Sequence, residues 1–494
     1  MTGIWSAAKL SRSHTELAAL AAAARRDLAR LNFPASGWVP ATLADDGSPV
    51  LDVLVIGGGM CGQTAGFALM KGGVRRVRIV DRSRRGEEGP WGTYARMEIL
   101  RSPKHLTGPD LGVPSLTFRA WYEAAYGTPA WDGLHKAGRL DWRDYLLFVR
   151  DTVGIGIENG TAVEAIRPRG ALIEADLSGE RGAERVLARR IVLATGRDGS
   201  GGARLPQFPG LDWGDGARRG RVHHSAEEID FSALRGRTVA VLGAGASAFD
   251  CAAAALEAGA SRVTMSCRRS HLPQVNKPKW ASFPGLLKGA ASLDDATRWR
   301  LFSYLLAAQV PPPFESVLRC DAHPAFSIAF AETWRDVALT PEGVRILTDR
   351  GEIEASAVIL GTGFDVDLGR ACLLASHADD VLLWRHRIRD AEASAHPEAS
   401  RFPYLGRGFE LQPRPGHDAA WLRQVHLFNW GATASHGALA GDIPGLAVGA
   451  ERLASELSAS LLAEDFDRHW AELLAHDDQE LRPTSRYHAA ERHE

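Results

Sequence analysis

The chain is poor in cysteine, methionine and tyrosine, with five, five and seven among 494 residues. Its cysteines, Cys61, Cys251, Cys267, Cys320 and Cys372, stand at least 16 residues apart and form no CxxC or CxxxxC pair. A flavoenzyme that relays electrons through a disulfide needs a close pair, so that chemistry is excluded. An odd, scattered set suits a reducing cytoplasm, with each thiol serving as a small buried hydrophobe. Net charge is also scarce: 58 Lys and Arg against 60 Asp and Glu leave −2. This balance gives no electrostatic case for nucleic acid or an anionic membrane. No 18-residue apolar stretch escapes polar or glycine interruption, so no transmembrane helix is expected. The N-terminus lacks the basic-then-apolar order of a signal peptide. The 17 histidines show no HxxxH or His-Cys spacing, and adjacent His223 and His224 would chelate poorly, so no metal site is expected.

Glycine is abundant, at 51 residues, and two clusters of it repeat one design. The first reads Gly57-Gly58-Gly59-Met60-Cys61-Gly62, a GxGxxG turn between the apolar run 53–56 and an alanine-containing, helix-like segment. The second, 186 residues on, reads Gly243-Ala244-Gly245-Ala246-Ser247-Ala248, a GxGxxA turn between the apolar run 239–242 and helix-like 250–256. Strand, glycine turn and helix make a pyrophosphate cradle. The glycines allow a tight turn and close approach, and the helix N-terminus favours the anion. The copies differ where coenzyme identity is set. Counting 24 residues from its first glycine, copy one reaches Asp81, where a carboxylate can accept from ribose hydroxyls. Copy two reaches Cys267, then Arg268 and Arg269, two guanidiniums placed for a ribose 2′-phosphate. Copy one is expected to hold FAD or NAD, and copy two NADPH. A single GxGxxG is a weak signal, but two in the same context make a pair of ordinary βα turns a poor explanation.

The expected fold class is α/β, with two dinucleotide-binding, Rossmann-like domains, the NADPH domain inserted in a discontinuous FAD domain. Residues 1–45 read as an N-terminal extension with a helix over 17–31, broken by Pro34 and Pro40. Residues 46–216 are the first part of the FAD domain. It closes in the run 191–196, whose Ala194-Thr195-Gly196 ending turns the backbone close to the cofactor. The NADPH domain spans 217–340, with a helical insertion at 277–320 that holds helix-like 294–306 and the break Pro311-Pro312-Pro313. A second run, 357–363, has the similar ending Gly361-Thr362-Gly363 and opens the return to the FAD domain, 341–494, which finishes in helices over 444–474.

From Asp52 to about Leu457 the chain resembles class B flavoprotein monooxygenases: the flavin-containing, Baeyer–Villiger and amino-acid N-hydroxylating enzymes. The resemblance rests on both cradles, both Thr-Gly endings and three further stretches. Gly220 and His224 are in register with the linker fingerprint FxGxxxH, although Arg218 replaces its phenylalanine. Trp91-Gly92-Thr93-Tyr94 and Leu100-Arg101-Ser102-Pro103-Lys104 are similar to the tryptophan and Asn-Leu-Pro-Lys region lining the flavin, with Arg101 or Ser102 in the asparagine's place. The same region also resembles the Asp-Leu-x-x-Pro-Ser-x-x-Phe stretch of N-hydroxylases, here Asp110-Leu111 to Phe118. Ser435-His436-Gly437 is similar to their Thr-His-Gly segment, and the Tyr-Pro-Gly of Baeyer–Villiger enzymes is missing.

What the resemblance implies is an NADPH- and FAD-dependent monooxygenase that passes one oxygen atom of O2 from a flavin hydroperoxide, kept from water, to a small substrate. N-hydroxylation of an amine or amino acid is the leading expectation, with S-oxygenation, Baeyer–Villiger insertion and an NADPH–flavin reductase or oxidase as alternatives. A nucleotide sensor that keeps only the fold is disfavoured, because both glycine sets, Asp81 and the arginine pair are intact. Candidate catalytic residues are Arg101, Asn276, Lys277 and His436, with Asn276 and Lys277 placed to grip a substrate carboxylate. Candidate cofactor residues are Gly57, Gly59, Gly62, Asp81, Trp91, Thr195, Gly196 and Gly363, with Gly243, Gly245, Ser247, Arg268 and Arg269 for NADPH. The protein is expected to act on a small molecule in the cytoplasm, possibly as a homo-oligomer.

Overall fold

The computed structural model describes residues 11–106, 108–478 and 480–481. Its first strands are β1 (Val50–Ile56), β2 (Val77–Asp81), β3 (Glu158–Asn159), β4 (Thr161–Arg169), β5 (Leu172–Gly179) and β6 (Gly182–Leu193). There follow β7 (Val222–His224), β8 (Thr238–Leu242), β9 (Arg262–Cys267), β10 (Phe326–Phe330), β11 (Trp334–Leu339), β12 (Val344–Thr348), β13 (Gly351–Ala355), β14 (Ala357–Leu360) and β15 (Val425–Leu427).

The larger sheet runs β3-β2-β1-β6-β5-β4, with β15 beside the end of β6. Its centre is parallel: Val53 is opposite Val77, and Val55 is opposite Val192. β4, β5 and the start of β6 form an antiparallel meander. β1 reads as a near-continuous apolar run because both of its faces are covered. The helix Met60–Lys71 lies against the sheet and packs on the long helix Leu446–Glu464. One hydrophobic core therefore joins residues 53–194 to residues 368–461. The helix His14–Arg30, capped by Ser13, adds Ala24 and Leu28 to that same core.

The second sheet, β10-β9-β8-β14-β7, is parallel throughout. The helix Ala246–Glu257 covers one face with Phe314–Asp321, and the small antiparallel sheet β11-β12-β13 covers the other. β14 lies between β8 and β7, so the run expected to open the return to the first unit is instead a central strand of the second. Its four apolar residues are wholly buried there, as suits a central strand of a parallel sheet covered on both faces. The chain crosses back just after it, through the Ala203–Phe364 bridge. The insertion folds as four short helices, Lys277–Trp280, Pro284–Gly289, Asp295–Ala308 and Phe314–Asp321.

Candidate active site

At the first cradle the glycines divide into two kinds. Gly57 has φ +105°, and a Cβ there would sit 2.4 Å from the Ala194 carbonyl oxygen. A Cβ on Gly62 would sit 1.8 Å from the Gly57 oxygen. These two are required by the turn itself. Gly59 differs: its Cβ would meet nothing closer than the Gly89 nitrogen at 3.9 Å. The room above Gly59, at the N-terminus of Met60–Lys71, is left for a ligand phosphate. Asp81 holds the turn, accepting from the Gly58 and Ser83 amides at 2.7 Å each. The loop roofing Gly59 is anchored by Glu88, which is buried and accepts from Arg150 at 2.8 Å and Asn159 at 2.6 Å.

The second cradle repeats this logic with one exchange. Gly243 has φ +102° and a would-be Cβ 2.6 Å from the Gly361 oxygen, while Gly245 has nothing within 4 Å. Here the helix carries Ala248, and the strand-end partner is the glycine: a Cβ on Gly361 would collide with that of Ala248 at 2.4 Å. In the first cradle the same contact is Gly62 against Ala194. The small residue has changed sides, and helix and strand remain equally close. Beyond β9, Arg268 and Arg269 are exposed, and among the described residues their side chains make no hydrogen bond or ion pair. The fork of each guanidinium is open to a phosphate.

A cleft joins the cradles. Cys61, in the first turn of Met60–Lys71, lies beside Gly441 and Asp442, which precede the helix Leu446–Glu464. Asp442 is exposed at the surface, yet desolvation by the surrounding protein is the main influence on it and raises its pKa. Arg197 and Arg101 oppose that shift. Arg101 has the same character: its side chain is exposed, burial lowers its pKa, and it feels Asp250, Asp442 and Arg197. Asp250 belongs to the helix of the second cradle and accepts from Ser316 at 2.5 Å. Arg101 thus spans both cofactor sites, and it donates to the Pro311 carbonyl at 2.8 Å. Burial pushes the Cys61 thiol up to about 12, so it stays protonated.

A curated relative, the FAD-dependent urate hydroxylase of Xanthomonas campestris pv. campestris, is 36% identical over 94% of this chain and 97% of its own. The chain belongs to the FAD-dependent hydroxylases. Residues 51–283 also match the pyridine nucleotide-disulphide oxidoreductase family, whose fold is here without a close cysteine pair. The Pseudomonas aeruginosa ornithine hydroxylase in its reduced form has the same fold, with a TM-score of 0.63 and 19% identity over 83% of this chain and all of that one. A Kutzneria sp. 744 ornithine N-hydroxylase, whose structure carries reduced FAD, NADP+ and L-ornithine, gives 0.62 and 16% over the same shares.

This hydroxylase holds other sequence-derived candidates in more modest places. Thr195 accepts from Asn429 at 3.2 Å and abuts Gly199, while Gly196 and Gly363 both have positive φ. Ser247 lies in the first turn of the second-cradle helix. Trp91 packs at the edge of the main core, its carbonyl accepting from Arg139. Asn276 caps Lys277–Trp280, accepting from the Lys279 amide at 2.9 Å, and Lys277 is exposed beside it. His436 is buried away from the cleft, donating to the Gly406 carbonyl at 2.9 Å with its ring on Phe409. Its described contacts are with the Gly406 carbonyl and the Phe409 ring. The Asp110–Phe118 stretch serves the core: Asp110 binds the Gly108 and Gly112 amides, and Phe118 enters an aromatic cluster. His224 is buried in β7 against Phe364. Sequence reading passed over Asp442, although Gly441-Asp442 directly before an apolar helix was a usable signal.

Proposed function

We propose that the protein uses NADPH and FAD to hydroxylate a planar, anionic, electron-rich heterocycle of the urate class. Two electrons come from NADPH; one atom of O2 enters the product, and the other leaves as water. The observation that carries this reading is the pair of guanidiniums, Arg101 and Arg197, facing one carboxylate, Asp442, in the cleft. Arg101 and Arg197 give an anion two guanidiniums to meet, with Asp442 and Asp250 beside them. FAD supplies the oxygen-activating chemistry when bound. The residues that would hold it are the Gly57–Gly62 turn, Asp81 and Asp442; Arg268 and Arg269 would hold the 2′-phosphate of NADPH. Urate is also the substrate named for the relative that covers almost the whole chain. Five free cysteines, four of them wholly or partly buried, fit a reducing cytoplasm.

A second reading, N-hydroxylation of an amine, draws on the fold shared with ornithine hydroxylases and on the exposed Lys277, whose ammonium makes no ion pair among the described residues. NADPH oxidation and product formation measured with urate, xanthine, ornithine, lysine and a thioether separate the two. Urate-stimulated turnover with a hydroxylated product supports the first. Turnover with the amines and none with urate would replace it by the second.

A further inference from the structure

We propose that Arg197 is the substrate-recognition residue of the cleft, an oxyanion clamp whose guanidinium is held edge-outward by aromatic faces from both halves of the molecule. The inference rests on the urate-class reading above. Arg197 follows the Ala194-Thr195-Gly196 turn at the end of β6. Its guanidinium carbon lies 4.2 Å from the centre of the Trp430 ring and 5.3 Å from that of Phe364. Trp430 follows β15 in the larger sheet, and Phe364 follows β14 in the second. Tyr94 extends the wall, 6.3 Å from Phe364.

Neighbouring arginines are all engaged: Arg82 with Asp198, Arg204 with Asp365 and Glu398, Arg101 with the Pro311 carbonyl. The Arg197 side chain makes no hydrogen bond or ion pair among the described residues, although the residue is half-buried. Stacking fixes a guanidinium through its faces and leaves its planar N–H edge free, and that edge matches a flat acceptor with two adjacent oxygens or ring nitrogens. The Trp430 turn is itself set, since Asn429 accepts from the Gly431 amide at 2.9 Å and from Ser200 at 2.7 Å. An oxyanion in this place has two sources, the substrate or the FAD pyrophosphate, and the test separates them.

Arg197→Gln and Arg197→Lys are purified as holoenzymes and assayed for FAD per protein, urate dissociation by equilibrium dialysis, and KM and kcat with urate. The expected result is parental FAD content, with urate affinity at least tenfold weaker and KM raised by a similar factor in Arg197→Gln. Partial recovery is expected in Arg197→Lys, and added guanidinium ion should restore binding to Arg197→Ala. Urate affinity within twofold of the parent, at full FAD content, overturns the proposal. Selective loss of FAD with normal urate affinity after reconstitution also overturns it and assigns Arg197 to the pyrophosphate. A parent enzyme that binds no urate fails earlier, and that result removes the functional reading along with the clamp.

Discussion

Among single residues, the two kinds of cradle glycine lead to opposite expectations. Gly59→Val leaves the apoprotein folded, because its Cβ would meet nothing closer than the Gly89 nitrogen at 3.9 Å, yet it abolishes FAD binding. Flavin absorbance per protein together with a parental thermal midpoint checks this; a variant as yellow as the parent would place the flavin elsewhere. Gly62→Ala should instead fail to fold, since its Cβ would enter the Gly57 carbonyl. Coenzyme choice is a second residue-level matter. Arg268→Ser with Arg269→Ser removes two charge-assisted contacts worth about 1.5–3 kcal/mol each. KM for NADPH should rise at least tenfold while KM for NADH stays near the parent value, and equal losses for both coenzymes would contradict the assignment. Both glycine turns, Asp81 and the arginine pair were legible in the sequence because each depends on a local spacing. Arg197 and Asp442 were not, because their meaning comes from partners more than 100 residues away: Trp430 and Phe364 for Arg197, Arg101 and Arg197 for Asp442.

The segments around the cradles add constraints of their own. The loop roofing Gly59 depends on the buried Glu88–Arg150 pair, with 7% and 4% of the Arg and Glu side chains exposed. Removing one partner leaves a buried charge alone, so Arg150→Leu should cost about 3–5 kcal/mol and loosen FAD. Chemical denaturation of the variant, and of Arg150→Leu combined with Glu88→Gln, measures both, and recovery in the double variant is expected. The turn 433–437 and β15 hold two histidines that cannot accept protons while folded. Burial pushes His436 down to about 3 and His426 to about 4, each donating to a carbonyl with its other nitrogen unpartnered. The unfolded chain protonates both near pH 6.5. Stability is therefore unaffected by them above about pH 6.5, and it falls as the pH drops below that towards 4. The slope is about 1.4 kcal/mol per pH unit for each histidine. Denaturation midpoints across that range check it, and His436→Gln should flatten the curve. The element boundaries were largely readable: the helix expected over 294–306 is Asp295–Ala308, and the one over 17–31 is His14–Arg30. β14 was misplaced because an apolar run shows that a strand is buried without showing in which sheet.

The whole molecule brings its two cofactor sites together through ties that cross between units. Arg101 reaches Pro311, Lys136 reaches Glu315 at 2.5 Å, and Arg96 reaches the Glu227 carbonyl at 3.1 Å. These contacts set the cleft in which hydride donor and oxygen acceptor must meet, and no local pattern encodes them. The sequence could indicate the chemistry, since two cradles without a cysteine pair leave oxygen as an acceptor. The substrate depended on groups that only the fold brings together, Arg101, Arg197 and Asp442, and the expected carboxylate grip at Asn276 is spent on a helix cap. The central claim is that electrons from NADPH insert oxygen into an anionic substrate rather than leak to peroxide. The most direct test is a single stoichiometry, using the purified holoenzyme, NADPH, urate and isotopically labelled O2. The account predicts urate-dependent NADPH oxidation with one labelled oxygen atom in the product for each NADPH consumed. NADPH oxidation unchanged by urate or any amine, with all of the O2 recovered as hydrogen peroxide, would contradict it and leave a flavin oxidase.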